Sequence, residues 1–247
     1  MSRKPQGPTT IPPRPAADPR PVAAAAPRPA DPNRRPGAPA SELKAQKLIH
    51  LFTTPILKHI WADSGPLNDD LRRIIINKTR GGKGASYSAI GGWESSDDFH
   101  QWAGEPGQKI IQRVAEMVKH ATAEIYATFS GQERSTWTIA MWANVNRRGN
   151  YNRIHVQPGS TWSGTYIVDT GLDDKNDPTS GVIGLINPNL AQAMSFYRNA
   201  IPMRYIVRPE PGLMMVWPSY IAQMVYPHGG KRPRVSISFN VKKDPYP

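Results

Sequence analysis

Residues 136–145 read TWTIAMWANV and open a series of short strand-like segments that fills the second half of the chain. Large apolar side chains alternate there with small or polar ones, as in a strand with one buried face. Similar segments follow, separated by turn residues such as Pro158-Gly159. The predicted strands are Thr136–Val145, Ile154–Val156, Trp162–Val168, Val182–Ile186, Arg204–Val207, Leu213–Trp217, Tyr220–Val225 and Val235–Val241. Short strands without a long helix between them predict an antiparallel jelly roll with its core at about residues 136–243.

Two amphipathic helices are predicted ahead of the strands. Leu67–Lys78 carries apolar residues at helical spacing, with acidic residues early and basic residues late. Gly107–Phe129 has a long apolar stripe that includes Ile110, Val114 and Met117. Helices followed by strands indicate an α+β domain, residues 41–247, in which the helices buttress one face of the sheet.

The first forty residues have a different composition from the rest. Residues 1–40 hold 12 of the 26 prolines, nine alanines and no aromatic residue. Such a segment buries too little apolar surface to offset its ordering entropy, so we expect a disordered, partly polyproline II tail. Seven basic and two acidic residues give it +5 of the net charge of +12. The tail is expected either to aid solubility or to contact anionic partners such as nucleic acid.

The composition of the 247 residues excludes several classes of protein and site. There is no cysteine, which excludes disulfide scaffolds, cysteine-ligated metal sites and thiol nucleophiles. This suits a reducing compartment, and a cytoplasmic location is predicted. No apolar stretch reaches the roughly 18–20 residues of a membrane helix, so no membrane span is expected.

Two features of the strand region suggest chemistry. His155 ends a short strand just before a turn, and the mouth of a jelly roll is a common place for a metal ligand. A lone histidine on a strand is more often structural. Arg234 and Ser236 lie on one face of another strand, because side chains alternate with period two. A guanidinium beside a hydroxyl can hold a carboxylate, whereas the simpler alternative is a salt bridge at the rim.

Several motifs in one order resemble a family of 2-oxoglutarate/Fe(II)-dependent oxygenases. With x for a position that does not contribute, they are GGWxS at 91–95, WANVN at 142–146, HxxPGS at 155–160, PxPGLxxxWPSY at 209–220 and RxSxSFN at 234–240. The resemblance covers roughly residues 50–243. It implies a double-stranded β-helix, Fe(II) and 2-oxoglutarate as cofactors, and hydroxylation of a substrate with decarboxylation of 2-oxoglutarate.

The resemblance also implies which residues form the site. Arg234 with Ser236 would bind the distal carboxylate of 2-oxoglutarate, and Asn144 and Tyr166 would line its pocket. The metal-ligand positions would be His155, Gln157 and Gln223, where the family pattern has histidine at all three. An amide binds metal through a neutral oxygen and is a weak ligand, so two of the three positions are chemically poor for iron.

Three functions remain open from the sequence. The first is an oxygenase with an unusual His155/Gln157/Gln223 site. The second is a catalytically degenerate relative that keeps the fold and binds rather than oxidises. The third is a nucleic-acid-associated protein that uses its basic tail. The sequence does not tell whether the substrate is a small molecule or a peptide, and it assigns no catalytic residue.

Overall fold

A computed structural model describes residues 53–85, 87–125, 136–171, 177–189, 191 and 202–243. The predicted tail, residues 1–40, lies outside these ranges. The three α-helices of the described ranges are α1 (Ser64–Lys78), α2 (Phe99–Trp102) and α3 (Gly104–Ile125), and a 3₁₀ turn, Thr79–Gly81, follows α1. The strands of the described ranges are β1 (Leu57–Ile60), β2 (Ala89–Ile90), β3 (Trp93–Glu94), β4 (Trp137–Asn146), β5 (Tyr151–His155), β6 (Trp162–Asp169), β7 (Ile183–Ile186), β8 (Arg204–Val207), β9 (Leu213–Pro218), β10 (Gln223–Val225) and β11 (Arg234–Lys243).

The strands form two antiparallel sheets. The larger sheet has the order β1-β9-β6-β11-β4-β3, and the smaller has the order β2-β5-β10-β7-β8. The strands of both sheets pair out of chain order, so the connections cross from sheet to sheet as in a jelly roll. The predicted α+β jelly roll with helices on one side is confirmed.

Period-two alternation divides the side chains of the larger sheet between two cores. Val235, Ile237 and Phe239 of β11 pack with helix residues such as Leu71 and Ile110. On β9, Met215 and Trp217 pack instead with residues of the smaller sheet, including Leu185. The alternate residues of β11, beginning with Arg234, therefore point into the space between the sheets.

Both predicted helices begin earlier than the apolar pattern suggested. Helix α1 starts at Ser64 and α3 at Gly104, so Pro66 and Pro106 each lie in a first turn. Proline is tolerated there because the first amides of a helix have no partner within the helix. The periodicity thus located the helices, while prolines inside the first turn obscured where they begin.

The strands differ from the prediction mainly at their ends. The strand predicted at Tyr220–Val225 begins only at Gln223, because Pro218–Ile221 forms a turn closed by the Ile221 amide and the Pro218 carbonyl at 3.0 Å. The two-residue strands β2 and β3 and the short helix α2 were not predicted, since segments of two to four residues carry no measurable periodicity. No helix within the described ranges is long and apolar enough to cross a membrane.

Candidate functional site

A polar pocket lies between the two sheets of the jelly roll. The larger sheet contributes side chains from β4, β6, β9 and β11, and the smaller sheet contributes side chains from β5, β7 and β10. The lining residues are mainly polar: Ser88, Trp142, Asn144, Asn152, His155, Thr165, Ile183, Trp217, Gln223, Met224, Val225, Arg234, Ser236 and Ser238. The structure therefore brings together five of the seven predicted site residues, namely Asn144, His155, Gln223, Arg234 and Ser236.

Arg234 lies at one corner of this pocket and is only 1% exposed. Its Nη1 donates a hydrogen bond to Ser236 Oγ at 2.8 Å, as their spacing on β11 allows. Its Nε is buried and has no hydrogen-bond partner in the part of the chain that the structure describes. No Asp or Glu of that part forms an ion pair with it. A buried, unpaired guanidinium is unfavourable, and an anion bound in the pocket would offset this penalty.

Burial also changes the pKa of the Arg234 side chain. Loss of hydration lowers the pKa of Arg234 to about 10. The group still carries its positive charge at neutral pH. The pocket therefore holds an intact cation without a counter-charge among the described residues.

Gly181 makes room for this arginine. The residue adopts a φ of +61°, which glycine tolerates better than other residues. A Cβ atom placed on Gly181 would lie 3.0 Å from Arg234 Cδ, closer than such atoms normally approach. Glycine is thus favoured at this turn both by the backbone conformation and by the position of the Arg234 side chain.

His155 and Gln223 form a second corner. They are register partners on β5 and β10. His155 Nδ1 lies 2.8 Å from the Arg153 carbonyl oxygen, which can only accept, so Nδ1 carries the proton. In the neutral imidazole, Nε2 then has a free lone pair. It accepts a hydrogen bond from the Gln223 Nε2 amide at 3.1 Å.

Gln157 does not join this corner. Its Oε1 accepts a hydrogen bond from Asn240 Nδ2 at 3.0 Å, and the residue lines a separate cleft with Trp162 and Tyr220. The chain leaves β5 at His155, so the alternation that would place Gln157 beside His155 is already interrupted. Of the three predicted metal-ligand positions, the structure brings two together.

The donor set does not fit Fe(II). Within the described ranges, no group of three His, Cys, Asp or Glu side chains is arranged to hold a metal ion. His155 supplies one imidazole, and the lone pair that would bind a metal is already hydrogen-bonded to Gln223. Non-haem iron sites use imidazole and carboxylate ligands, and a neutral amide matches neither the donor strength of the first nor the charge of the second.

The two remaining predicted residues have different positions. Asn144 lines the pocket and donates from Nδ2 to Ser238 Oγ at 3.0 Å. Tyr166 does not reach the pocket, and the expectation for it is corrected. Its side chain points to the helices, where its hydroxyl donates to Asn68 Oδ1 at 2.7 Å and burial raises its pKa to about 12. Its neighbour Thr165 faces the pocket instead, because side chains alternate along β6.

Glu94, a buried carboxylate behind the pocket wall, was not predicted from the sequence. It is 0% exposed and accepts a hydrogen bond from the Ser88 hydroxyl, whose residue lines the pocket. Glu94 lies inside the GGWES segment, and its neighbours carried the resemblance while Glu94 itself did not. A glutamate directly after glycines and a tryptophan in a two-residue strand gives no periodic signal of burial.

The family comparison bears on this pocket directly. Residues 140–240 match the family model described as "Putative 2OG-Fe(II) oxygenase". The resemblance inferred from the motifs is thus confirmed over that region, which contains the lining residues from Trp142 to Ser238. No curated protein sequence matches the chain.

Solved structures share the fold at low sequence identity. A prolyl-4-hydroxylase from Pseudomonas putida matches with a TM-score of 0.56 and 12% identity, covering 78% of this chain and 95% of that one. A Trichoplax adhaerens prolyl hydroxylase, in complex with a hypoxia inducible factor oxygen degradation domain peptide fragment, has a TM-score of 0.51, 12% identity and coverages of 76% and 83%. A non-heme alpha ketoglutarate dependent epimerase from nogalamycin biosynthesis has a TM-score of 0.54, 9% identity and 76% coverage of both chains. At these identities the likeness shows the fold alone.

Proposed function

We propose that this protein binds a small carboxylate in an oxygenase-like jelly roll and does not carry out iron-dependent oxidation. The observation that carries the proposal is Arg234, a buried guanidinium with an unpartnered Nε and no counter-ion among the described residues. Such a group is retained at a pocket when a bound anion completes its interactions. Ser236 adds a hydroxyl beside it.

The donor set at the predicted metal position supports binding over catalysis. His155 is oriented as a metal-binding imidazole would be, with Nδ1 held by a carbonyl and Nε2 facing inward. Gln223 occupies that lone pair through its amide, and Gln157 is directed to Asn240. His155 thus has the orienting contact of a metal ligand, while the other two predicted ligand positions carry amides that form hydrogen bonds.

Catalysis is the second candidate, and the oriented His155 together with the family match favours it. In that case Fe(II) would supply oxygen activation, and Arg234 with Ser236 would hold 2-oxoglutarate. The pocket residues would then bind and orient the cosubstrate, as they do in the first proposal. The two candidates differ in whether carboxylate binding needs iron.

A turnover assay separates the two. The full chain is purified without oxygen, given Fe(II) and 2-oxoglutarate, exposed to oxygen and assayed for succinate, with Arg234→Met as the background. We expect no bound iron and no succinate above that background. Iron uptake with Arg234-dependent succinate release would establish the oxygenase instead.

A further inference from the structure

Three segments of the folded domain carry basic residues but no Asp or Glu. They are residues 79–93, 144–168 and 211–243. Five of their basic side chains are exposed and form no ion pair among the described residues: Lys83, Arg147, Arg148, Arg153 and Lys231. These five cations are therefore available to a partner from outside the chain.

Backbone hydrogen bonds place the three segments side by side. In the turn between β4 and β5, the Gly149 amide donates to the His228 carbonyl oxygen at 2.7 Å. The His228 amide donates in return to the Asn150 carbonyl oxygen at 2.9 Å. On β5, the Arg153 amide donates to the Ser88 carbonyl oxygen at 3.1 Å. The middle segment thus joins the other two into one continuous surface.

Two carboxylates border this surface, and they leave it positive. Asp169 pairs with both Arg72 and Arg232, at 2.8 and 3.3 Å, so this ion cluster itself has an excess of positive charge. Asp177 lies beside the loop of the third segment, where a Cβ on Gly229 would be 2.6 Å from its Oδ2. One further negative charge stands against the five exposed cations.

An exposed aromatic ring lies among these cations. Tyr87 is 54% exposed, and its ring contacts only the edge of Trp142, with the ring centroids 6.3 Å apart. The guanidinium of Arg153 lies beside it, because Arg153 Nη2 donates to the Tyr87 carbonyl oxygen at 3.2 Å. We call Tyr87 and the five exposed cations the basic face.

We propose that the basic face binds single-stranded nucleic acid, with its cations on the phosphates and Tyr87 stacked on a base. Exposed lysines and arginines match a chain of phosphates in charge, and an aromatic ring beside them can stack on any base of a single strand. A duplex keeps its bases stacked inside, so Tyr87 would add nothing to duplex binding. The proposal is independent of the carboxylate pocket, because the buried Arg234 is not part of this face.

Two pairs of adjacent arginines in the full chain test where binding occurs. Arg147→Gln/Arg148→Gln removes two charges from the basic face, whereas Arg34→Gln/Arg35→Gln removes two from the predicted tail. The probe is a fluorescein-labelled oligo-dT of 20 nucleotides, and its anisotropy is measured between roughly 50 and 200 mM salt. We expect the first variant to bind about tenfold more weakly and to lower the slope of log affinity against log salt by about 1.4. The tail variant should stay within about twofold of the parent.

Three outcomes of this comparison would overturn the proposal. Equal losses in the two variants would show that binding depends on net charge alone. A loss confined to the tail variant would place the binding in the tail. The absence of oligo-dT binding by the parent at the lowest salt would remove the nucleic-acid partner altogether.

A tyrosine pair tests the choice of a single strand over a duplex. Tyr87→Ala should weaken oligo-dT binding about fivefold or more, as the loss of one stacked base implies, and should leave the affinity for a 20-base-pair duplex unchanged. Tyr220→Ala is the matched control, because Tyr220 is 59% exposed and lies outside the basic face. Equal effects of the two tyrosine variants, or a parent that prefers the duplex, would contradict the assignment. If Tyr87→Ala does not fold, as thermal unfolding would show, the preference of the parent for oligo-dT over the duplex carries this test.

Discussion

The Arg234 corner and the His155 corner of the pocket differ in whether their predicted binding groups are available to a ligand. At the Arg234 corner the guanidinium, its serine partner and the glycine that makes room for it are all in place. At the His155 corner the imidazole Nδ1 contacts the Arg153 carbonyl oxygen, which orients the ring. The other ring nitrogen, Nε2, is hydrogen-bonded to the Gln223 amide. We propose an anion site at the Arg234 corner beside the predicted metal position at the His155 corner, and we expect the two corners to be separable in function.

The largest effect on carboxylate affinity is expected from a substitution at the Arg234 corner. Arg234→Met should weaken carboxylate binding at least about hundredfold, because truncation of one partner of a buried charge pair removes several kcal/mol. The variant should be as stable to heat as the parent or more so, since an unpaired buried charge is gone. Arg148→Met, at an exposed arginine, is the control. Titration and thermal unfolding measure both effects, and carboxylate affinity unchanged in Arg234→Met would remove the basis for the anion site.

At the His155 corner, one added imidazole should raise the affinity for a metal ion. Gln223→His replaces the amide that bonds His155 Nε2 and should raise Co(II) affinity about tenfold to hundredfold over the parent, read from the visible spectrum of bound Co(II). Gln157→His should give little gain, because residue 157 faces Asn240 and the separate cleft. An equal gain from both variants would show that residue 157 reaches the metal position after all.

A crowding substitution tests whether the position of Arg234 matters. Gly181→Ala adds a Cβ against Arg234 Cδ and should weaken carboxylate binding about tenfold, as small displacements of a positioned group do. Gly149→Ala is closely matched, because Gly149 also has a positive φ but no atom lies near its Cβ position. Both variants should lose about 1 kcal/mol of stability through the backbone. Equal affinity in the two variants would argue against a positional requirement.

The smallest expected effect is a pH dependence of carboxylate affinity, which should come from the Arg234 corner alone. Burial lowers the pKa of Arg234 to about 10, so the free guanidinium loses its proton as the pH rises through that value. An anion binds the protonated form, and carboxylate affinity should be nearly constant between roughly pH 7 and pH 9 and then fall. Titrations across this pH range measure the affinity. A decrease in affinity that begins well below pH 9 would point to a different binding group.

The fold followed largely from the sequence, because alternation and helical spacing are dictated by which faces are buried. The same period-two rule placed Arg234 and Ser236 on one face. It also explains the error at Tyr166, since the family resemblance assigned that residue to the pocket while its position on β6 turns it to the helices.

Other parts of the site were not predictable from local sequence. His155 and Gln223 are 68 residues apart in the chain, and their contact depends on the register of β5 and β10. Glu94 is buried and accepts hydrogen bonds from three backbone amides, and a two-residue strand has no period that would reveal this. Sequence patterns gave the faces of the strands, whereas strand register and loop path determined which polar groups meet.

We expect the Arg234 corner to bind a carboxylate without a metal at the His155 corner. The most direct measurement is a titration of the full chain with 2-oxoglutarate, once with a metal chelator and once anaerobically with Fe(II). We predict that 2-oxoglutarate binding depends on Arg234 and has the same affinity in both conditions. Binding that appears only with Fe(II), or that Fe(II) tightens by tenfold or more, would contradict it and restore the metal to the site.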